Sequence, residues 1–86
     1  MSTQSLSENT RDSVHGYLFE LWRKILRRDE IDPAQSFFAQ GGGSIHVVQM
    51  LAEVSKHYDV ELEYRRFFEQ PTLEILLSLI DRARRS

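Results

Sequence analysis

Three stretches of this chain carry apolar residues at steps of three and four, and no stretch sustains the alternation of a strand. Val14, Leu18, Leu21 and Ile25 share one stripe, joined by Tyr17, Trp22 and Leu26. Val47, Met50, Leu51, Val54 and Tyr58 form a second stripe, and Leu73, Leu76, Leu77 and Ile80 a third. Such spacing gathers apolar side chains on one face of a helix. The single alternating run, Asp59-Val60-Glu61-Leu62, has no partner strand and reads as an extended connector with Val60 or Leu62 turned inward. The expected fold is all-α, with helices burying their stripes against one another.

The first helix is expected from Arg11 to Arg27, with Trp22 in its core stripe and the cations Arg23, Lys24, Arg27 and Arg28 near its end, where the helix dipole favours them. The second is expected from Ser44 to His57 or Tyr58. Tyr64 to Phe68 leaves room for one short helix. Pro71-Thr72 opens the last helix, with Thr72 as N-cap, Glu74 in the first turn, and Ile75 and Leu79 on a second stripe. Residues 1–9 are polar and rich in Ser and Thr, so they read as a flexible N-terminal tail with a helix start near Ser7 to Thr10. One domain over 10–83 follows, then a C-terminal tail over 84–86.

Size and composition narrow the function classes. At 86 residues the chain is near the lower limit for a core without staples, and it contains no cysteine, hence no disulfide, thiolate metal site or thiol nucleophile. Its net charge of -2 comes from basic and acidic side chains that mostly interleave, unlike the basic face of a nucleic-acid binder. No apolar run approaches the ~20 residues of a bilayer span, and Met1-Ser2-Thr3-Gln4-Ser5 lacks the basic-then-apolar order of a secretory signal. A cytoplasmic monomer is expected, with neither nucleic acid nor membrane as partner.

Residues 29–43 follow neither period and contain the turn and breaker residues Asp29, Glu30, Asp32 and Pro33. An irregular segment this long in a small domain needs anchors or a function. Phe37-Phe38 supplies at least one buried ring, and Ile31 a second anchor. The segment then acts as a strap that delivers Gly41, Gly42 and Gly43 to the start of the second helix, where Ser44 stands.

What can this Gly-Gly-Gly-Ser run do? A phosphate-binding P-loop needs a lysine before the hydroxyl and a strand feeding the loop, and both are missing. A nucleophile elbow needs Gly-x-Ser-x-Gly between strand and helix, but His46 occupies the last position. His46 also lies about 200° around the helix from Ser44, out of reach as its base. His15, His46 and His57 are scattered, and about 16 Å of helix separates the last two, so they read as surface histidines rather than metal ligands. Local chemistry alone favours Ser44 as a helix N-cap, with the glycines merely permitting the turn. That reading leaves unexplained a second apolar stripe, Ile45, Val48 and Ala52, on the face beside Ser44.

The run Phe37-Phe38-Ala39-Gln40-Gly41-Gly42-Gly43-Ser44-Ile45 resembles the phosphopantetheine attachment motif of carrier proteins, most closely the peptidyl carrier (thiolation) domains of nonribosomal peptide synthesis. The resemblance continues through Met50-Leu51-Ala52, Val60-Glu61-Leu62 and Phe67-Phe68-Glu69-Gln70-Pro71-Thr72, and covers roughly residues 14–80. It implies an acyl-carrier-protein-like bundle of three main helices plus one short one, with a long first loop. It further implies that Ser44 accepts 4′-phosphopantetheine from coenzyme A in a reaction catalysed by a phosphopantetheinyl transferase with magnesium. The arm ends in a thiol, which this cysteine-free chain otherwise lacks, and an aminoacyl or related acyl group rides on it as a thioester.

By the same resemblance the chain is a non-catalytic carrier. Its partners are an adenylation enzyme or other acyl-loading enzyme, and a downstream condensation, tailoring or acyl-transfer enzyme. Gly41, Gly42 and Gly43 then form the attachment loop, and Ile45, Val48 and Ala52 a small docking patch. The residue before the serine is usually Asp, Asn or His in this family, and here it is Gly43. The second helix also lacks the dense acidic surface of fatty-acid carriers, which favours the peptidyl type. Two rivals stand beside it: an acyl carrier of polyketide or fatty-acid-type synthesis, and a structural helical adaptor in which Ser44 only caps a helix. The chain starts at Met and holds one domain, so it reads as either free-standing or a piece of a larger synthetase.

Overall fold

The computed structural model describes residues 9–85, with side chains from Ser13 onward. Of the expected tails over 1–9 and 84–86, residues 1–8 and Ser86 lie outside the described residues, whereas residue 9 opens a helix and residues 84 and 85 continue one. Four helices appear in order: α1 (Asn9–Leu26), α2 (Ser44–Tyr58), α3 (Tyr64–Glu69) and α4 (Leu73–Arg85). The all-α expectation holds. α1 packs against both α4 and α2, and α3 packs against α4.

Each helix buries the centre of its expected stripe, while Tyr17, Ile25 and Leu26 of α1 and Tyr58 of α2 are half-buried at its edge, and α4 shows one exchange. Val14, Leu18, Leu21 and Trp22 come from α1, Val47, Met50, Leu51 and Val54 from α2, and Phe67 from α3. On α4 the buried set is Leu73, Leu76, Leu79 and Ile80, whereas Leu77 and Ile75 are half-buried. Leu79, assigned by spacing to a second stripe, therefore belongs to the core. Between α2 and α3, Leu62 is the inward residue of the connector and Val60 is half-buried.

The helix ends follow capping chemistry. α1 stops one residue earlier than its periodicity predicts, because Arg27 turns left-handed (φ 57°) and lets the Arg28 N–H reach back to the Arg23 carbonyl at 3.1 Å. α2 ends the same way: Asp59 is left-handed (φ 56°), the Val60 N–H returns to the Ser55 carbonyl at 3.0 Å, and the Ser55 hydroxyl donates to the Val60 carbonyl. At the start of α4, Thr72 Oγ1 accepts the Ile75 N–H at 3.2 Å, as its N-cap assignment requires.

The strap over 27–43 is ordered by its own bonds and by two anchors. Ile31 and Phe37 are buried, and the Phe37 ring packs edge-on against Trp22 at 4.9 Å between centroids. Trp22 Nε1 is itself buried, with no hydrogen-bond partner among the described residues. Two backbone bonds sew the strap to the α3–α4 junction. The Phe37 N–H donates to the Pro71 carbonyl at 2.7 Å, and the Glu74 N–H to the Pro33 carbonyl at 3.2 Å. The strap's exit, and with it the start of α2, is thereby fixed against the C-terminal half.

Candidate functional site

The strap tightens into a closed turn as it nears the glycines. The Gln40 N–H bonds to the Ser36 and Phe37 carbonyls, the Gly41 N–H to Phe38 at 3.1 Å and the Gly42 N–H to Phe37 at 3.0 Å. Gly41 has φ 107°, a conformation that a side chain strains. Gly42 is required for a different reason, since a Cβ there would overlap the Phe37 ring.

Gln40 is the lock of this turn. It is 2% exposed, and sequence reasoning passed over it. Its Oε1 accepts the Asp32 N–H at 2.9 Å, while its Nε2 donates to the carbonyls of Asp32 and Gln35 at 3.1 and 3.0 Å and lies 3.4 Å from that of Ser36. Its own carbonyl accepts from Arg28 Nη1 at 3.2 Å. One side chain thus satisfies backbone groups of residues 32–36 in this irregular chain.

The N-cap of α2 is Gly43, in an extended conformation (φ -112°, ψ 170°), and Ser44 is the first residue inside the helix. The expectation that Ser44 itself caps the helix is therefore corrected. The chain enters α2 one residue earlier, and the serine hydroxyl makes no hydrogen bond among the described residues. Ser44 is exposed. Gly43 offers no side-chain acceptor and α2 has no acidic residue in its first turn, so no side chain of that turn caps the N–H groups of Ser44, Ile45 and His46. They give the site a positive pole with no built-in counter-charge.

His46 is exposed but not idle. Its Nδ1 accepts the Gly43 N–H at 3.1 Å, reaching back across Ser44 from the third helical position. This is the return half of a capping box. The other histidines are engaged elsewhere: His57 stacks on Tyr17 at 4.0 Å, and His15 meets the Phe19 ring edge-on at 4.8 Å. Burial raises the Tyr17 phenol pKa, with Glu53 and Tyr58 adding to the effect. Burial also raises that of Tyr58, against the opposing pull of Arg84. Both phenols stay neutral, and Tyr58 lies about 21 Å along the helix from Ser44.

Beside the serine, Ile45 is 64% and Val48 46% exposed, and Ala52 is exposed on the same side of α2. Their neighbour Val47 is fully buried. The two apolar stripes of α2 are thus separated as their spacing predicts. A second exposed apolar pair, Phe38 and Phe68, stacks at 6.3 Å between the strap and α3.

An exposed, unbonded hydroxyl on an anchored turn, at a helix N-terminus with free donors, is well placed to take an anionic substituent. Residues 16–80 match the family model described as "Phosphopantetheine attachment site". The chain is 36% identical over 63 residues to gramicidin S synthase 2 of Brevibacillus brevis, covering 73% of this chain and 1% of that protein. Its fold is similar to a peptidyl carrier protein solved in complex with the phosphopantetheine transferase Sfp and coenzyme A. The TM-score is 0.72 at 31% identity, over 79% of this chain and 88% of that one. It is also similar to BlmI, a type-II acyl carrier protein from Streptomyces verticillus, with a TM-score of 0.69 at 29% identity over 91% and 92% of the two chains. The chain spans 1% of gramicidin S synthase 2 and 8% of the nonribosomal peptide synthetase asaC of Aspergillus flavus, to which it is 31% identical over 78 residues.

Proposed function

This chain belongs to the phosphopantetheine attachment-site family, and from that premise we propose that Ser44 is the residue that takes the 4′-phosphopantetheine arm, in a peptidyl carrier unit of nonribosomal peptide synthesis. The observation that carries the assignment is the Ser44 hydroxyl: exposed, unbonded, and held between the locked Gly41–Gly43 turn and the first turn of α2.

The residues present fit the group. The hydroxyl is free to displace the adenosine bisphosphate half of coenzyme A: its oxygen forms the new O–P bond, the pyrophosphate bond breaks, and its proton leaves. The free N–H groups of α2 favour the resulting anion. Gly41–Gly43 add no side chains of their own to the approach to the serine. When attached, the arm supplies a thiol that holds acyl cargo as a thioester. The chain's own part is to present, orient and be recognised, which makes it a carrier rather than a catalyst.

Ile45, Val48 and Ala52 are assigned as the docking patch, being apolar, exposed and next to the serine. A patch this small suits brief encounters with successive enzymes. Those enzymes are a phosphopantetheinyl transferase, an adenylation or other acyl-loading enzyme, and a downstream condensation, tailoring or acyl-transfer enzyme. We assign the carrier unit to residues 10–83, which bracket the matched span 16–80. We place it in the cytoplasm as a monomer. No helix among the described residues is long and apolar enough to cross a membrane.

Incubation with a broad-specificity transferase, coenzyme A and magnesium, followed by intact-mass analysis, tests the assignment. One phosphopantetheine adduct is expected on the wild type and none on Ser44→Ala. No adduct on the wild type, or the same adduct on the variant, would overturn it. The likeness to BlmI keeps a second reading in play, an acyl carrier of polyketide or fatty-acid-type synthesis. Loading of the holo form by a malonyl transferase and not by an amino-acid adenylating enzyme would favour that reading.

A further inference from the structure

The turn that carries Ser44 is held on one side by Phe37 and Gln40 and on the other by α2, and one side-chain bond crosses the serine. The strap bonds stop at the Gly42 N–H, and helical bonding resumes with the Val47 N–H, which donates to the Gly43 carbonyl at 3.1 Å. Between these points His46 Nδ1 accepts the Gly43 N–H, and no other side chain bonds to the backbone of residues 43–46 among the described residues. The imidazole also covers the flank of Gly43. A Cβ built there would lie 3.4 Å from Nδ1 and 3.9 Å from Cε1, in ordinary van der Waals contact with the ring.

We propose that His46 is a positioning residue for the modification of Ser44, acting through the Gly43 peptide and not on the reacting hydroxyl. This proposal rests on the reading of Ser44 as the attachment residue. A glycine N-cap is the most permissive of the capping residues in its backbone. Without the Nδ1 acceptor the peptide before the serine is free to rotate, and the direction in which Ser44 leaves the helix varies with it. With the bond made, the turn is pre-ordered on both sides while the serine hydroxyl itself remains free. The bond needs an acceptor at Nδ1, hence a neutral ring with its proton on Nε2.

A transferase that must capture one orientation of the turn binds less well in proportion to the fraction of molecules that present it. His46→Ala is therefore expected to raise the KM for the carrier about fivefold, the weight of one ordinary hydrogen bond, with kcat unchanged. His46→Gln places an uncharged acceptor at the capping-box position and is expected to restore the wild-type KM. The Gly43 amide gives a second readout. Its hydrogen exchange in the unmodified protein, followed by NMR, is expected to be slow in the wild type and His46→Gln, and fast in His46→Ala.

Equal KM values for wild type and His46→Ala would overturn the proposal, as would a His46→Gln variant as impaired as His46→Ala, or a loss confined to kcat. A Gly43 amide that exchanges fast in the wild type would do the same. If instead the wild type takes no adduct at all, the Ser44 assignment fails, and the Gly43 exchange rates still report on the bond.

Discussion

The ring of Phe37 fills the space in which a side chain at Gly42 would begin. A Cβ on Gly42 would overlap two ring carbons and lie 2.8 Å from Cζ. Phe37 is fully buried and meets Trp22 edge-on, so the ring cannot yield without disturbing the centre of the bundle. The glycine is a packing requirement as much as an opening for a partner enzyme.

Gly42→Ala is accordingly expected to cost about 1–3 kcal/mol in denaturant unfolding, the range for forcing extra volume into a packed core. It should also change the fluorescence of Trp22, the only tryptophan. Gly41→Ala meets open space, but at φ 107°. It should lose about 1–3 kcal/mol through backbone strain, with the Trp22 emission unaltered. The emission spectrum separates the two mechanisms where stability alone does not.

Gln40→Ala should lose about 1–3 kcal/mol, because buried backbone groups of the strap are left without partners. Gln40→Glu tests the same lock more sharply. The carboxylate keeps one acceptor, loses the amide donors, and faces the carbonyls of Asp32, Gln35 and Ser36. At neutral pH it should be less stable than the alanine variant, as read by urea midpoints at constant slope.

Adjacent residues on α2 should respond in opposite ways to the same change. Val47→Asp buries an unpaired charge at a fully enclosed position and should unfold the domain. Val48→Asp, at a 46% exposed position, should change stability by no more than about 0.5 kcal/mol, yet slow turnover by the loading enzyme. Circular dichroism and loading assays on the pair would detect a misassigned face, since a large loss of melting temperature in Val48→Asp contradicts the docking role.

The two hydroxyl residues at helix starts should also part company. Thr72→Ala removes the cap bond to the Ile75 N–H and should cost about 1 kcal/mol. Ser44→Ala removes a hydroxyl without a bond and should leave thermal unfolding within about 0.5 kcal/mol of wild type, while abolishing the mass adduct. A Ser44→Ala penalty equal to that of Thr72→Ala would assign the serine a structural task the geometry does not show.

The helices were legible because the stripes of α1, α2 and α4 repeat at the helical period, and burial follows that period almost residue by residue. Leu79 escaped because α4 packs against both α1 and α3, which spacing within α4 does not reveal. Ser44 was legible as a special position, but its cap role was misread by one residue. That shift also hid His46: counted from Ser44 it is the second helical position, and counted from Gly43 it is the third, where a side chain reaches back to the cap. Gln40 gave no signal, because its partners are backbone groups of an irregular segment, and no periodicity says where those groups point.

The two backbone bonds from the strap to the α3–α4 junction bear on the order in which the molecule is made. Phe37 is tied to Pro71, and Pro33 to Glu74, so the turn before Ser44 is completed by chain that emerges from the ribosome some thirty residues later. A nascent or truncated chain ending before Pro71 would contain the serine, its glycines, all of α2 and Trp22, but not the Pro71 carbonyl and Glu74 amide to which the strap is tied. If Ser44 takes the arm as proposed, a chain of that length would present the serine on a turn that lacks these two bonds.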